Sequence, residues 1–200
     1  MRKSVIPLLL LFLLILPVNA QFTKIGGGAA AGTGIYYNNE TDQTSYKTGL
    51  PALFVTGIYE FTLPVHIAPS YTFYIPHITR LAVINESSAR QIISCMMFDI
   101  DGHYVFNSLD RIEFYGLTGL NINLISSKRI TEISGTKIKS KESDNAFGLN
   151  LGAGAYLKLS NQFDLVCEAK YIVSRYDQFL FRAGILINLD WLIKHENTGL

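Results

Sequence analysis

From Phe147 to Leu159 the chain reads FGLNLGAGAYLKL, and every odd-numbered residue is apolar. Phe147, Leu149, Leu151, Ala153, Ala155, Leu157 and Leu159 form one stripe; Gly148, Asn150, Gly152, Gly154, Tyr156 and Lys158 form the other. Side chains of a β-strand point alternately to opposite faces, so the pattern predicts a strand with one greasy and one polar or glycine face. The alternation returns at 163–174, where Asp164, Glu168 and Lys170 oppose Phe163, Leu165, Cys167, Ala169, Tyr171 and Val173. It returns again at 178–189, where Arg182 and Asn188 oppose Phe179, Phe181, Ala183, Ile185, Ile187 and Leu189.

Five earlier segments read the same way, at about 23–37, 50–61, 65–76, 92–106 and 111–125. The first, TKIGGGAAAGTGIYY, is poor in strand formers, but small inward residues leave room for bulky ones across a narrow lumen. Pro69 has no N–H to give a ladder and predicts a bulge in the third. Asn107 to Asp110 reads as a turn. The fold class is all-β: an eight-stranded antiparallel up-and-down transmembrane β-barrel.

The connections alternate in length. Those after strands two, four and six are short, whereas 38–49, 77–91 and 126–145 are long. Membrane barrels have short periplasmic turns and longer outward loops, which places the N-terminus in the periplasm. Ser174–Asp177 is a short outward exception. The alternation within ISSKRITEISGTKIKSKESDN predicts a hairpin around Gly135 that continues past the membrane.

Alternation alone does not say which face is inside. Three features point to lipid outside. The polar stripes mix Gly, Tyr and Asn, as a crowded lumen would. Their charges can pair: Glu60, Asp99, Asp101, Glu113, Asp164 and Glu168 against Lys158, Lys170 and Arg182. An eight-stranded barrel is about wide enough to be filled by side chains. Aromatics (Tyr37, Tyr59, Phe61, Tyr104, Phe163, Tyr171 and Phe179) recur near strand ends, as interfacial girdles do.

The first twenty residues form a separate expectation. Arg2 and Lys3 precede VIPLLLLFLLIL, and Val18-Asn19-Ala20 suits cleavage. Residues 1–20 are predicted to be a cleaved signal peptide, the apolar run being shorter than the ~20 residues of a spanning helix. Residues 21–189 then form the barrel domain and 190–200 a short periplasmic tail, with Trp191 at the interface. The chain carries 17 Lys and Arg against 16 Asp and Glu; without Arg2 and Lys3 the balance is 15 to 16. Nucleic acid, which favours a basic excess, is not an expected partner.

The stretch GLNLGAGAYLKLSNQFDLVCEAKYIVSRYDQFLFRAGILINL resembles the C-terminal half of the small outer-membrane β-barrel family, the OmpA-like or opacity-like domain of Gram-negative bacteria. Arg182, Gly184, Ile187 and Leu189 resemble that family's assembly signal. The chain departs from the family by continuing for eleven residues after its last strand. The resemblance implies residence in the cell outer membrane, contact with its lipid and lipopolysaccharide, and handling by the barrel-assembly machinery. Any extracellular ligand stays open.

Candidate chemistry is sparse. Cys95 and Cys167 fall on opposite faces, so no disulfide is expected, and their spacing argues against a metal site. Gly26-Gly27-Gly28 lacks the Lys-Ser/Thr of a phosphate loop. His77, Glu86, Ser87 and Ser88 could form a rim Ser–His–acid set of a lipid A deacylase-like esterase, but nothing fixes their geometry. No catalytic residue, cofactor or metal is expected. The basic cluster Lys128, Arg129, Lys137, Lys139 and Lys141 could contact lipopolysaccharide phosphates, although Glu132, Glu142 and Asp144 offset it. The sequence therefore predicts a non-enzymatic protein with a structural, adhesive or envelope-integrity role through its outward loops. The alternatives are a narrow channel or transporter for small or apolar solutes, and the rim esterase.

Overall fold

The computed structural model describes residues 22–39, 44–48, 51–62, 64–82, 88–133 and 136–189. The expected signal peptide, the tail after residue 189, Gly135, and Glu86 and Ser87 of the candidate Ser–His–acid set lie outside these residues. Among the described residues there are eleven strands: β1 (Lys24–Gly32), β2 (Ile35–Asn39), β3 (Thr44–Thr48), β4 (Ala52–Thr62), β5 (Val65–Tyr74), β6 (His77–Ala82), β7 (Ser88–Leu109), β8 (Ile112–Ile133), β9 (Thr136–Lys158), β10 (Phe163–Ser174) and β11 (Gln178–Asn188).

Eight of them close a ring. β1 pairs with β4, β4 with β5, β5 with β7, and the ladder continues through β8, β9, β10 and β11 back to β1. All of these pairings are antiparallel. Closure leaves no sheet edge within the ring, which a strand assembly in lipid requires. β6 resumes the path of β5 after Ile75-Pro76 and pairs with the outer part of β7, while β2 and β3 form a hairpin of their own.

Alternation sorts the side chains as the period of two dictates. Phe147 is 75% exposed and Leu120 62%, whereas Asn150 and Asp101 are 0%. The exposed stripe includes Leu53, Val55, Phe98, Ile100, Leu149, Leu151, Phe181 and Ile185, from five different strands counted with Leu120. An apolar belt of that extent meets lipid rather than water. The inner face also holds large apolar groups the alternation of its strands left unremarked: Phe54, Ile58, Met97, Leu180 and Leu186 are all buried.

Several expectations change. Pro69 causes no bulge: β5 keeps one register against β7 throughout, and against β4 on both sides of Pro69. The rungs opposite Gly57 and Ile58 are lost instead, and the Pro69 carbonyl accepts a hydrogen bond from Thr56 Oγ1 at 3.1 Å. The register shifts fall between Glu60 and Thr62 and between Val105 and Asn107. Asn107 to Leu109 remain in β7, because Leu109 pairs with Ile112 and only Asp110 and Arg111 make the turn. The long outward connections are largely strand. β8 and β9 stay in one register to Ile133↔Thr136, and β6 pairs with β7 over residues expected to be loop. Cys95 is buried, Cys167 is exposed, and both are free thiols.

Candidate functional site

Two regions concentrate chemistry: the filled lumen and the part of the sheet that rises beyond the ring.

In the middle of the lumen Lys170, on β10, places its ammonium 2.8 Å from Asp101 Oδ2 and 3.2 Å from Asp99 Oδ2. Asn150 Nδ2 donates to Asp99 Oδ1 at 2.8 Å and to Asp101 Oδ1 at 2.7 Å. Asn121 Nδ2 donates to Asp99 Oδ1 at 2.6 Å. Below them Arg182 grips Glu168 twice, Nε to Oε1 at 2.6 Å and Nη2 to Oε2 at 2.8 Å. Arg182 also donates through Nη1 to Ser70 Oγ at 2.9 Å, and its guanidinium lies 5.2 Å from the Phe54 ring centre. Tyr115 Oη donates to Glu168 Oε2 at 3.1 Å. These charges are buried, and burial of charge is tolerable only with such pairing.

Toward the short-turn end, Lys24 pairs with Asp164 at 2.9 Å and approaches Glu60 at 3.8 Å. His103, Tyr115 and Tyr156 stack there, with His103 Nδ1 2.5 Å from Tyr156 Oη. Toward the long-loop end, Tyr74 Oη donates to Gln178 Oε1 at 2.9 Å. Side chains thus fill the lumen from Tyr156 to Tyr74, and the buried charges among them are paired.

Of the lumen residues expected from sequence, Asp99, Asp101, Glu168, Lys170 and Arg182 meet in one buried cluster, and Asp164 and Glu60 meet Lys24 instead. Glu113 is half-buried and Lys158 exposed, near the short-turn end. Lys24 was missed. Its signal was its even position, in register with inward Gly26 and Gly28, hidden in a run read only for its small residues. Of the assembly-signal residues, Arg182 points inward, while Gly184 and Ile187 follow it on β11 and Leu189 just beyond. The glycines serve the packing: a Cβ on Gly119 would lie 2.2 Å from Asp101 Oδ1 and 2.4 Å from the Ile100 carbonyl oxygen.

Among the described residues no group of three or more His, Cys, Asp and Glu side chains is arranged to hold a metal ion. His77 begins β6, and Ser88 begins β7. A concavity of about 930 Å³ is lined mainly by outward apolar side chains such as Ile25, Val55, Phe98, Leu120 and Phe147, so it belongs to the lipid-facing surface rather than to a passage.

The second region is a blade. β7 and β8 have 22 residues each and β9 has 23, about twice the 9–11 that span a bilayer. β10 pairs with β9 only from Lys158 to Gly148, so residues 136–147 of β9 rise clear of the ring with β8, β7 and β6. Lys128, Lys137, Lys139 and Lys141 are exposed on it and Arg129 is half-buried.

A closed eight-stranded ring with an apolar belt outside and paired charges inside is an outer-membrane-type β-barrel. The chain belongs to the outer membrane protein beta-barrel domain family, which it matches over residues 6–188, and it is an outer-membrane protein. Its fold is similar to that of a major outer membrane protein from Thermus thermophilus, at 12% identity and a TM-score of 0.53, over 82% of this chain and 98% of that one. It is also similar to Ail, the attachment invasion locus protein of Yersinia pestis, at 14% identity and a TM-score of 0.48, over 84% and 99% of the two chains. Neisserial surface protein A is similar at 14% identity and a TM-score of 0.45, over 82% and 96%. Likeness at these identities is likeness of fold. No curated protein matches the chain.

Proposed function

We propose that this barrel is a non-enzymatic outer-membrane protein that acts through its outward hairpins, in a structural, adhesive or envelope-stabilising role. The observation that carries this reading is the blade. A barrel whose task was only to span lipid has no need for strands of 22 and 23 residues, and the excess length lies on one side of the outward rim. The β8–β9 hairpin keeps one register as far as Ile133↔Thr136, which supports a rigid projecting surface. Orienting that surface is a task for the cross-strand ladder, and its exposed polar side chains are the groups available for contact with the envelope or with an external ligand.

The narrow channel is the weaker alternative. Conduction would require displacing Lys170 and Arg182 from Asp99, Asp101 and Glu168, and breaking buried pairs is strongly unfavourable. A rim esterase would need a nucleophile and base in mutual reach, and Glu86 and Ser87 fall outside the described residues.

The test is a strain carrying a barrel with residues 129–140 replaced by a two-residue turn. Loss of detergent resistance or of surface attachment, with normal amounts of folded barrel, is the expected result. Wild-type behaviour in both assays would overturn the reading. Steady single-channel currents in planar bilayers would favour the channel, and a changed lipid A acyl pattern on deletion would favour the esterase.

A further inference from the structure

The turn between β10 and β11, residues 174–177, is short, and its side chains leave it on opposite faces. Asp177 turns outward, where its Oδ2 accepts a hydrogen bond from Tyr171 Oη at 2.5 Å. Tyr176 turns inward. It is buried, in the same apolar cluster as Tyr74, Ile93, Cys95, Ile125 and Ile172. Ser174 Oγ accepts from the Tyr176 amide at 3.0 Å and holds the bend between them.

From there Tyr176 reaches the stem of the blade. Its Oη donates to Asp144 Oδ2, and Arg175 Nη1 lies 3.2 Å from the same oxygen. The β9–β10 ladder ends at Gly148↔Ser174, and Asp144 stands four residues farther along β9, beyond its reach. Asp144 shares its rung with Ile125 and Cys95, and Cys95 is a buried thiol. On the β7–β8 side the outer end of the lumen is closed by strand side chains: Ile93 and Ile125 are buried, and Gln91 Nε2 donates to Ser127 Oγ at 2.9 Å. On the β10–β11 side the closing group is Tyr176. The two tethers on Asp144 differ in weight. The Arg175 side chain is 63% exposed, and an ion pair so open to water contributes little. The phenol bond is sheltered and charge-assisted, which makes it the stronger one. Tyr176 also lies outside the ladders: β10 pairs with β9 as far as Ser174, and β11 pairs with β10 from Gln178↔Ile172 onward. Moving it breaks no rung of the ring.

We infer that Tyr176 is a lid over the outer end of the lumen and that Asp144, on the blade, is the latch that holds it shut. Closed, the lid keeps water from Cys95 and from the polar layers beneath it. Released from Asp144, the turn swings about its Asp177–Tyr171 anchor, and the outer lumen opens while the ring stays whole. The stem of the blade thus has a second task besides carrying the hairpin tip. This inference concerns closure of the barrel and stands apart from the reading of the hairpins as an envelope-contacting surface.

Cys95 reports on the lid. The full chain carrying Cys167→Ala, folded in lipid vesicles, would be treated with a charged, membrane-impermeant methanethiosulfonate, and the rate of Cys95 labelling read by mass spectrometry. Tyr176→Phe keeps the ring and removes only its hydroxyl; Asp144→Ala removes the acceptor. Each is expected to speed labelling roughly tenfold or more, the change that follows from losing one hydrogen bond to a charged group. The Tyr176→Phe/Asp144→Ala double variant is expected to label no faster than the faster single one, because both remove the same bond. Arg175→Gln is expected to stay within about twofold of its parent, as an exposed pair should. Heat-modifiable gel migration verifies that each variant is folded. Labelling of Tyr176→Phe at the parent's rate overturns the latch. So does a double variant whose acceleration is the product of the two single ones, or an Arg175→Gln variant as fast as Tyr176→Phe.

Discussion

Glu168 and Arg182 face each other directly across the β10–β11 ladder, and their side chains close a two-point ion pair at 2.6 and 2.8 Å inside the lumen. The ladder fixes the backbones and the ion pair fixes the side chains, so each supports the other's geometry. Arg182→Leu strands Glu168 among Tyr115 and His103, and the expected loss is about 3–5 kcal/mol. Glu168→Leu/Arg182→Leu removes both charges and is expected to recover much of that loss. Urea titration of the barrel folded in lipid vesicles measures both, and a double variant as unstable as the single one would contradict the account.

Gly119 and Gly116 lie three residues apart on β8 and have opposite tolerances. A Cβ at Gly119 meets Asp101 and the Ile100 backbone, whereas nothing lies within 4 Å of one at Gly116. Gly119→Ala is expected to lose about 1–3 kcal/mol through overpacking. Gly116→Ala should stay within about 0.5 kcal/mol of wild type. The same urea titration decides, and equal midpoints for the two variants would show that the lumen relaxes around Gly119.

The two thiols should differ in reactivity. Cys167 sits among Ala155 and Ala183 on the lipid-facing surface, and Cys95 is buried in the lumen. In vesicles, an apolar maleimide is expected to label one thiol per chain, at Cys167, and a charged reagent confined to water to label neither. Non-reducing and reducing gels should show the same band. Peptide mapping that finds Cys95 labelled in the folded state would place it on the wrong face.

Shortening the β8–β9 hairpin should leave the ring intact. β10 holds β9 from Lys158 to Gly148 and β8 holds it beside that stretch, so deletion of 129–140 removes only rungs above the ring. The shortened protein is expected to keep the faster migration of an unboiled barrel on gels. Identical migration boiled and unboiled would mean that the blade is needed for closure.

The ring was legible in the sequence because the period of two is strict wherever one face meets lipid and the other a packed lumen. A one-residue slip would exchange Leu149 and Asn150, and no other register tolerates that. Features that depend on which strands meet were not legible. Lys24 finds Asp164 only because β1 closes on β11, whose other neighbour is β10. Pro69 was expected to force a bulge, yet the ladder drops rungs and Thr56 supplies a bond to the proline's carbonyl. The basic hairpin looked half neutralised when its charges were summed along the chain. Once paired across β8 and β9, Glu142 and Asp144 stand behind the sheet and the lysines in front of it.

Seven of the ring's eight ladders join strands that follow one another along the chain, apart from the β2–β3 hairpin set between β1 and β4 and from β6 set between β5 and β7. The eighth joins β1 to β11, from Lys24↔Asn188 to Gly32↔Leu180. That seam has nine rungs, and three consecutive glycines leave its β1 side with little side-chain surface. It is also the contact with the greatest loop-closure entropy to overcome. The order of assembly follows: a curled sheet can zip locally from its hairpins, and the seam can form only when the last strand has arrived. The same glycines that make this junction thin let its two backbones come together without a side chain in the way.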